Sequence, residues 1–313
     1  MRNFLPSLTR QWPDSSGQLS REVKSAFEVN ENQRKQNVYS LLFQQGWRSD
    51  NILAASELRN EILKAKGSKK QFHIIASGHS TLSSFYKCDP QKHFIVGFNY
   101  ASLLPITFDC YFVEMASNET DYLFKYSEIQ KHVIHSAKKI DLLILKNIWQ
   151  KKIEQNYALD AYGNNVKMLL DIHAPFSCDG DQHILKPYQL SKLLLKTDKL
   201  FAMQLYTTAF TCIALAYQCG FREVILHGLD LGGPHFYIDS SIRWPRSADS
   251  DTVDEMISKS MQHDNDPNFL GGLNKLRTLM TLMSLRDNLA HKGIRLLVAS
   301  QQSPIAQYLD CWI

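Results

Sequence analysis

The chain has 313 residues, of which 44% are hydrophobic and 21% are charged, and its formal net charge is +4. This composition is typical of a globular protein, and the length suits one large α/β domain or one domain with a helical appendage. The small and scattered excess of basic residues argues against a nucleic-acid partner. The six cysteines form no CxxC pair and no metal-ligand spacing, which indicates a reducing compartment without disulfides.

No segment has the pattern of a signal peptide or a membrane span. Residues 1–13 lack the apolar core of a signal peptide, and no apolar run approaches the roughly 20 residues that cross a bilayer. We therefore expect a cytoplasmic protein. Basic clusters at 64–70 and 138–139 more often mark solvated faces, but a shallow basic surface would also suit a peripheral position at the inner face of the membrane.

The N-terminal part of the chain differs in pattern from the rest. Residues 22–45 and 50–66 have the apolar spacing of helices, and Asp50 is a suitable N-cap for the second of them. These features predict a helical N-terminal extension over residues 1–70, followed by a main domain over residues 71–313.

From residue 71 onward, short apolar runs alternate with helical patterns, which predicts a mostly parallel sheet with crossover helices. The small apolar segment 206–219 predicts a buried helix, and 273–291 predicts a longer amphipathic one. Residues 240–270 hold many Ser, Asp and Asn, which predicts a long loop or lid near the active site. The predicted strands are 72–76, 93–98, 110–114, 140–145, 166–170, 223–227 and 294–299.

Two stretches carry most of the chemical information, FREVILHGLDLGGPHFYID at 221–239 and IIASGHSTL at 74–82. Each is an apolar run that opens into a loop rich in Gly, Ser, His or Asp. Open α/β sheets bind ligands outside the carboxyl ends of their strands, so we expect a site where these two loops lie. The turn at 77–81 either presents backbone N–H groups to a phosphate or is an ordinary turn between strand and helix.

Three polar positions have two interpretations each. Asp230 follows a strand among glycines, either as a reactive carboxylate or as a cap of the turn. Arg243 and Arg246 flank a tryptophan, where they either bind an anionic substrate group or pack on the surface.

Metal binding and serine hydrolysis find no support in the sequence. The histidines at 227, 235 and 263 lack a fixed ligand spacing, so we expect no metal site. No Gly-x-Ser-x-Gly elbow is present, which weakens a hydrolase interpretation.

The order of the motifs resembles the bacterial sialyltransferases of glycosyltransferase family 42 and their relatives, among them flagellin-modifying nonulosonate transferases and β-Kdo transferases of a related fold. IIASGHSTL is similar to the first strand and loop of that family, FNY at 98–100 to the second strand, and YFVE at 111–114 to the third. YTTA at 206–209 is similar to a Thr-Ser-Gly segment that opens an apolar helix, and GFREVILHGLD at 220–230 to the strand that follows it.

The resemblance implies an α/β fold with a Rossmann-like, mostly parallel sheet (a GT-A-like variant), a helical N-terminal extension and a lid at about 240–270. It implies a glycosyltransferase that moves a sugar acid, of the sialic acid or Kdo type, from a CMP-activated donor to a bacterial surface glycan. The partners would be the CMP-sugar and a glycan or glycolipid acceptor, in lipopolysaccharide or capsule biosynthesis. No cofactor or metal is expected to be required.

The resemblance also assigns roles to residues. His263 is the base of an inverting transfer, or Asp230 is the nucleophile of a retaining one, with Glu114 as an acid/base helper. Backbone amides and hydroxyls at 78–81 and 207–208 would stabilise the departing phosphate. The nucleotide-binding residues implied are Ser77, Gly78, His79, Ser80, Asn99, Thr207, Thr208 and Gly228. The substrate-binding residues implied are Tyr237, Arg243 and Arg246.

Three alternatives remain open. The first is a retaining β-Kdo transferase with an Asp nucleophile. The second is a non-catalytic module that binds nucleotide sugars and docks through its N-terminal helices, and the third is a pterin or nucleotide pyrophosphokinase-like enzyme. The lack of the usual first-loop Asn and of an arginine at Leu205 favours the last two. The presence of Asn99, Thr208, Asp230 and His263 favours a transferase.

Overall fold

The computed structural model describes residues 52–53, 55–114, 129, 132–135, 139–146, 166–169, 172–173, 187–196, 200–201, 208–232, 234–262 and 272–312. The predicted helix 22–45, the predicted cap Asp50 and the predicted site residues Thr207 and His263 lie outside these residues.

All the strands predicted from the sequence are present, with bounds that differ by at most one residue, except that 140–145 is divided into two short strands. The strands are β1 (Ile52–Leu53), β2 (Gln71–Ile75), β3 (His93–Phe98), β4 (Thr107–Phe108), β5 (Cys110–Glu114), β6 (Lys139–Ile140), β7 (Leu143–Lys146), β8 (Val166–Leu169), β9 (Ile172–His173), β10 (Leu200–Phe201), β11 (Glu223–His227) and β12 (Arg295–Val298). The helices are α1 (Ala55–Lys66), α2 (Pro187–Leu194), α3 (Thr208–Gln218), α4 (Ser250–Gln262) and α5 (Gly272–Ala290).

The main sheet confirms the predicted α/β fold. Its strand order is β1-β8-β7-β5-β3-β2-β11-β12, and every neighbouring pair is parallel. From β2 the chain moves outward through β3, β5, β7 and β8. It then returns to the other side of β2 to add β11 and β12. The strand order therefore reverses between β2 and β11.

The two faces of the sheet are covered by different kinds of structure. Helices α1, α2, α3 and α5 pack on one face and share a core with side chains such as Phe72 and Phe112. The other face is covered by short 3-10 turns and by the segment 234–244, around Tyr111 and Phe236. Among the described residues, no helix is both long and apolar enough to span a membrane.

The described part of the predicted N-terminal extension is built into the sheet domain. Ile52 and Leu53 pair with β8 at the edge of the sheet, so the helix predicted over 50–66 begins only at Ala55. Leu58 and Ile62 of α1 are fully buried in the main core. The apolar stripe that the sequence shows is therefore the face with which α1 covers the sheet.

Within the segment 240–270, predicted as a long loop or lid, residues Ser250–Gln262 form helix α4, so the loop prediction is wrong there. Asp249 Oδ2 accepts hydrogen bonds from Thr252 N at 2.9 Å and Thr252 Oγ1 at 2.6 Å, which makes Asp249 the N-cap. Val253 and Met256 are the apolar side chains that this helix buries. Its other face is polar, which is why the composition of the segment resembles a loop. Closure of this segment over a ligand stays a prediction.

Candidate active site at the strand-order reversal

The two loops singled out in the sequence meet where the strand order reverses. The turn 77–81 follows β2 and the loop 228–232 follows β11, and these strands are neighbours in the sheet. Gly78 N donates a hydrogen bond to Gly228 O at 2.8 Å, and Ala76 N donates to His227 O at 2.9 Å. Ligands of open α/β sheets bind at this point, so the expected position of the site agrees with the topology.

The contact between the two loops requires glycine on both sides. Gly228 has φ +63°, and a Cβ placed there would overlap Thr81 Oγ1. A Cβ on Gly78 would overlap Gly228 O and lie 2.5 Å from Asp230 Oδ2. The backbones of the two loops therefore touch directly, without room for any side chain between them.

Asp230 holds three loops together. Its Oδ2 accepts a hydrogen bond from Ser80 N at 2.9 Å, and its Oδ1 accepts from Ser80 Oγ at 2.5 Å and from Ser303 Oγ at 2.9 Å. Ser303 lies in the turn after β12, so the carboxylate joins the loops that follow β2, β11 and β12. Both oxygens are engaged, which is the geometry of a cap rather than of a nucleophile approaching a sugar carbon.

The backbone amides of residues 78–81 also donate hydrogen bonds within the chain, so they are not free to bind the phosphate that the family resemblance implies. Gly78 N binds Gly228 O, His79 N donates to Pro234 O at 3.1 Å, and Thr81 N donates to Gly78 O at 3.1 Å. The amide of Ser80 donates to Asp230. Three of these four acceptors come from the chain after β11, which only the folded chain brings next to this turn.

A cleft of about 690 Å³ opens beside Asp230, between the loops after β2, β11 and β12 and the first half of α5. Cavities of this size accept ligands as large as a nucleotide. The lining combines apolar side chains with carboxylate, hydroxyl, amide, imidazole and phenol groups, and none of the lining residues that the structure describes is a lysine or arginine. The lining consists of His79, Ser80, Asp230, Leu231, Gly232, Pro234, Leu276, Leu279, Gln302, Pro304, Ile305, Gln307 and Tyr308.

Two residues other than glycine have a positive φ in the described part of the chain, and both follow strands of the main sheet. Asn99 (φ +56°) follows β3, and Leu231 (φ +54°) lies in the cleft wall after β11. Asn adopts this conformation readily, whereas a leucine there is strained, and such strain concentrates at functional sites. Tyr111 Oη fixes the turn that contains Asn99, since it donates to Asn99 O at 2.6 Å and accepts from Ser102 N at 3.2 Å.

The candidates Ser77, Thr208 and Glu114 are not among the residues that line the cleft. Thr208 is the first residue of α3 and is buried. Ser77 Oγ lies 3.0 Å from His235 Nδ1. Glu114 ends β5 in register with Lys146 of β7, and the structure describes only its backbone.

The three predicted substrate-binding residues are not in the lining of the cleft. Tyr237 is buried, with its ring centroid 5.3 Å from that of Tyr100 and 5.6 Å from that of Trp244. Arg243 and Arg246 are exposed on the segment before α4. Trp244, which the sequence placed between two substrate-binding arginines, therefore belongs to an aromatic cluster on the second face of the sheet.

An ionised carboxylate lies near the one imidazole of the cleft wall. Hydrogen bonds from the hydroxyl and the backbone N–H of Ser241 lower the pKa of Asp239, and the charge of His79 lowers it further. His79 is exposed.

No protein-family model and no curated protein matches this sequence. Solved structures of sialyltransferases do match the fold. The monofunctional alpha-2,3-sialyltransferase Cst-I from Campylobacter jejuni matches with 13% identity and a TM-score of 0.41, over 79% of this chain and 81% of that chain. The sialyltransferase CST-II, solved with a trisaccharide acceptor and CMP, matches with 18% identity and a TM-score of 0.42, over 77% of this chain and 86% of that chain.

A third match is CstII from Campylobacter jejuni in complex with the substrate analogue CMP-3FNeuAc. It has 15% identity and a TM-score of 0.40, over 77% of this chain and 86% of that chain. Because these identities and scores are low, the case for an activity depends on the residues of the chain itself.

Proposed function

We propose that this chain is a glycosyltransferase that moves a sugar acid from a CMP-activated donor to a glycan or glycolipid acceptor. The observation that carries the proposal is the meeting of the loops 77–81 and 228–232, whose residues resemble the family, at the strand-order reversal. They border a cleft of about 690 Å³, which is large enough for a nucleotide sugar. Sialic acid and Kdo are the donor classes to test first, with bacterial surface polysaccharide or lipooligosaccharide as the acceptor class.

The departing phosphate has to be stabilised by groups other than the amides of 78–81. Helix α3 begins at Thr208 and ends next to the start of β11, so its N-terminus lies at the carboxyl edge of the sheet. The N-terminus of a helix carries the positive end of the helix dipole, which stabilises a nearby phosphate. We assign that role to the start of α3, with His79 and Gln302 of the cleft wall as side-chain donors.

The hydrogen bonding of Asp230 favours an inverting transfer over a retaining one. A retaining enzyme needs a carboxylate oxygen that is free to attack the sugar. Both oxygens of Asp230 accept hydrogen bonds from serines or a backbone amide. An inverting transfer needs only a base for the acceptor hydroxyl, and His263 is the residue that the family resemblance assigns to it. No metal or cofactor takes part in this scheme.

Release of CMP from a panel of CMP-sugars tests the proposal. The full chain is incubated with CMP-sialic acid, CMP-Kdo and related donors, with and without an oligosaccharide acceptor, and CMP is quantified by chromatography. We expect one donor to release CMP, faster with acceptor than without. The variant Asp230→Ala should release much less because its three loops are no longer joined. No release from any donor, together with no binding of CMP in calorimetry up to millimolar concentration, would overturn the proposal.

One observation favours a non-catalytic alternative. The described lining of the cleft holds no lysine or arginine, and the amides of residues 78–81 are engaged. A module that only binds nucleotide sugars would bind CMP in calorimetry but release none from any donor. The same chromatography with ATP as the donor separates the pyrophosphokinase alternative, which would release AMP.

A further inference from the structure

Two histidines and a cysteine form a compact cluster on the face of the sheet opposite α3 and α5. His73 lies in the middle of β2 and pairs in register with Ile225, so His227, two residues further along β11, lies diagonally beside it on the same face. Cys88 follows the 3-10 turn Phe85–Lys87, which covers this face. Among the described residues, this is the group of His, Cys, Asp or Glu whose ligand atoms all lie within 4.8 Å of one another.

The distances in this cluster are close to those between the ligands of a zinc ion. His73 Nδ1 lies 3.0 Å from His227 Nε2, and Cys88 Sγ lies 3.6 Å from each nitrogen. Zinc binds imidazole nitrogen at about 2.0–2.1 Å and thiolate at about 2.3 Å, so a tetrahedral ion separates two nitrogens by about 3.4 Å and nitrogen from sulfur by about 3.6 Å. Only the two rings have to move apart, by a few tenths of an ångström.

The surroundings hold the rings in place. His227 Nδ1 lies 2.9 Å from Ser84 Oγ, and a histidine that binds a metal usually donates its second N–H to such an oxygen. The His73 ring is stacked on His93 at 4.2 Å between centroids, and Trp312 packs edge-on against it at 4.8 Å. These contacts fix the orientation of both rings before any ion binds.

Burial leaves the cluster uncharged before an ion binds. It lowers the pKa of His73 to about 2 and that of His227 to about 3, so both imidazoles are neutral at pH 7. Because the two nitrogens that face each other lie within hydrogen-bond distance, one of them carries a proton, which moves to the other nitrogen of its ring when an ion binds. Burial raises the pKa of the Cys88 thiol to about 12. An ion would therefore displace one proton, as the Cys88 S–H bond breaks and the sulfur–metal bond forms.

We propose that His73, His227 and Cys88 bind a zinc ion whose fourth ligand is water. Two imidazoles with one thiolate in tetrahedral arrangement favour zinc over the hard cations Mg²⁺ and Ca²⁺. The ion would fasten the segment 84–88 to β2 and β11, just below the turn 77–81. Ser84 connects the two regions, since its hydroxyl lies 3.3 Å from Thr81 O as well as 2.9 Å from His227. The ion lies outside the described lining of the cleft and does not depend on the proposed transferase activity.

Cobalt spectroscopy on the full chain tests the site without any assay of activity. The wild type is freed of metal with a chelator and titrated with Co²⁺. We expect a thiolate-to-cobalt charge-transfer band in the near ultraviolet and the visible bands of tetrahedral cobalt, both abolished by adding zinc. The variant Cys88→Ser should lose the charge-transfer band. Cys311→Ser, which removes another partly exposed free cysteine, should keep it. A wild type without these bands, or a Cys88→Ser variant that retains them, would overturn the proposal.

Zinc affinity provides a second measurement that does not depend on variants of the ligands. We expect the wild type to bind one zinc per chain and to melt at a higher temperature with zinc than with magnesium. Ser84→Ala should weaken zinc binding by roughly 10–100-fold, the usual effect of removing a partner of a metal-bound histidine. A melting temperature that zinc leaves unchanged would contradict the site. CMP release is measured separately, so failure of either proposal leaves the other to be judged by its own assay.

Discussion

Asp230 helps to fix the geometry of the cleft, since its carboxylate joins the loops after β2, β11 and β12. We expect Ser303→Ala to detach the β12 loop and to lower the free energy of unfolding by about 1–3 kcal/mol, because a hydrogen bond to a charged group is lost. Urea denaturation measures the change.

Ser241→Ala is the matched control for Ser303→Ala. It also removes a hydrogen bond from a serine hydroxyl to a carboxylate, that of Asp239 at 2.6 Å, but on an exposed residue. Surface changes of this kind usually alter stability by less than about 0.5 kcal/mol. Equal losses in the two variants would show that Asp230 does not hold the loops together.

Gly228 is the position at which a single methyl group should disturb the site most. Both Gly228 (φ +63°) and Gly67 (φ +50°) have a left-handed backbone, but a Cβ on Gly67 would meet no atom within 4 Å. The left-handed conformation costs an alanine about 1–2 kcal/mol at either position. At Gly228 the overlap with Thr81 Oγ1 adds to this. We therefore expect Gly228→Ala to destabilise the protein more than Gly67→Ala in urea denaturation.

Binding of CMP extends this comparison from stability to the site. Because Gly228 holds the two strand-end loops in contact, its alanine variant should bind CMP more weakly than wild type in calorimetry. Gly67→Ala should bind CMP as wild type does, since Gly67 follows α1, away from these loops. Two variants with the same stability and the same CMP affinity would show that the close approach of the loops is not required.

Secondary structure could be predicted well at the level of the strands. The apolar runs that became β2, β3, β5 and β11 are bounded by Gly, Asn, Asp or charged residues, so their ends are visible in the sequence. The meeting of the loops after β2 and β11 also followed, because parallel strands direct their carboxyl ends to one edge.

Features that depend on pairing over long distances could not be predicted. The amides of 78–81 look free in the sequence, because the acceptors Gly228 O and Pro234 O lie about 150 residues away. The cluster of His73 and His227 depends on the register of β2 against β11, and no spacing along the chain encodes that register. The sequence expectation that no metal binds stays a prediction.

Helix α4 shows how a capping residue decides between loop and helix in a polar segment. We expect Asp249→Ala to cost about 0.5–2 kcal/mol in the free energy of unfolding, because the N–H and hydroxyl of Thr252 lose their acceptor. The control Asp254→Ala removes an exposed acid within the same helix and should change stability by less than about 0.5 kcal/mol. Circular dichroism and urea denaturation measure both. A control variant as unstable as Asp249→Ala would contradict the assigned cap.

At the scale of the molecule, strands β2 and β11 contribute to both the proposed active site and the proposed zinc site. Their carboxyl ends form the cleft, and their side chains on the second face form the cluster of His73, Cys88 and His227. The opposite face is filled by α1, α2, α3 and α5 in one continuous core. We therefore expect conformational changes on ligand binding to occur on the second face, where short turns and α4 cover the sheet.

The stereochemistry of the transfer is the property of the whole enzyme that best separates the two mechanisms. Because both oxygens of Asp230 are hydrogen-bonded, we expect inversion, with a product anomer opposite to the donor when it is observed by NMR before it equilibrates. His263→Ala should lower the rate by roughly 10²–10⁴, the usual contribution of a general base, while CMP affinity stays near that of wild type. His291→Ala, which removes an exposed histidine at the end of α5, should keep the wild-type rate. Intact-mass analysis during turnover should show no sugar bound to the protein. A product of retained configuration, with a sugar adduct on Asp230, would show instead that the carboxylate leaves its serine partners and acts as the nucleophile.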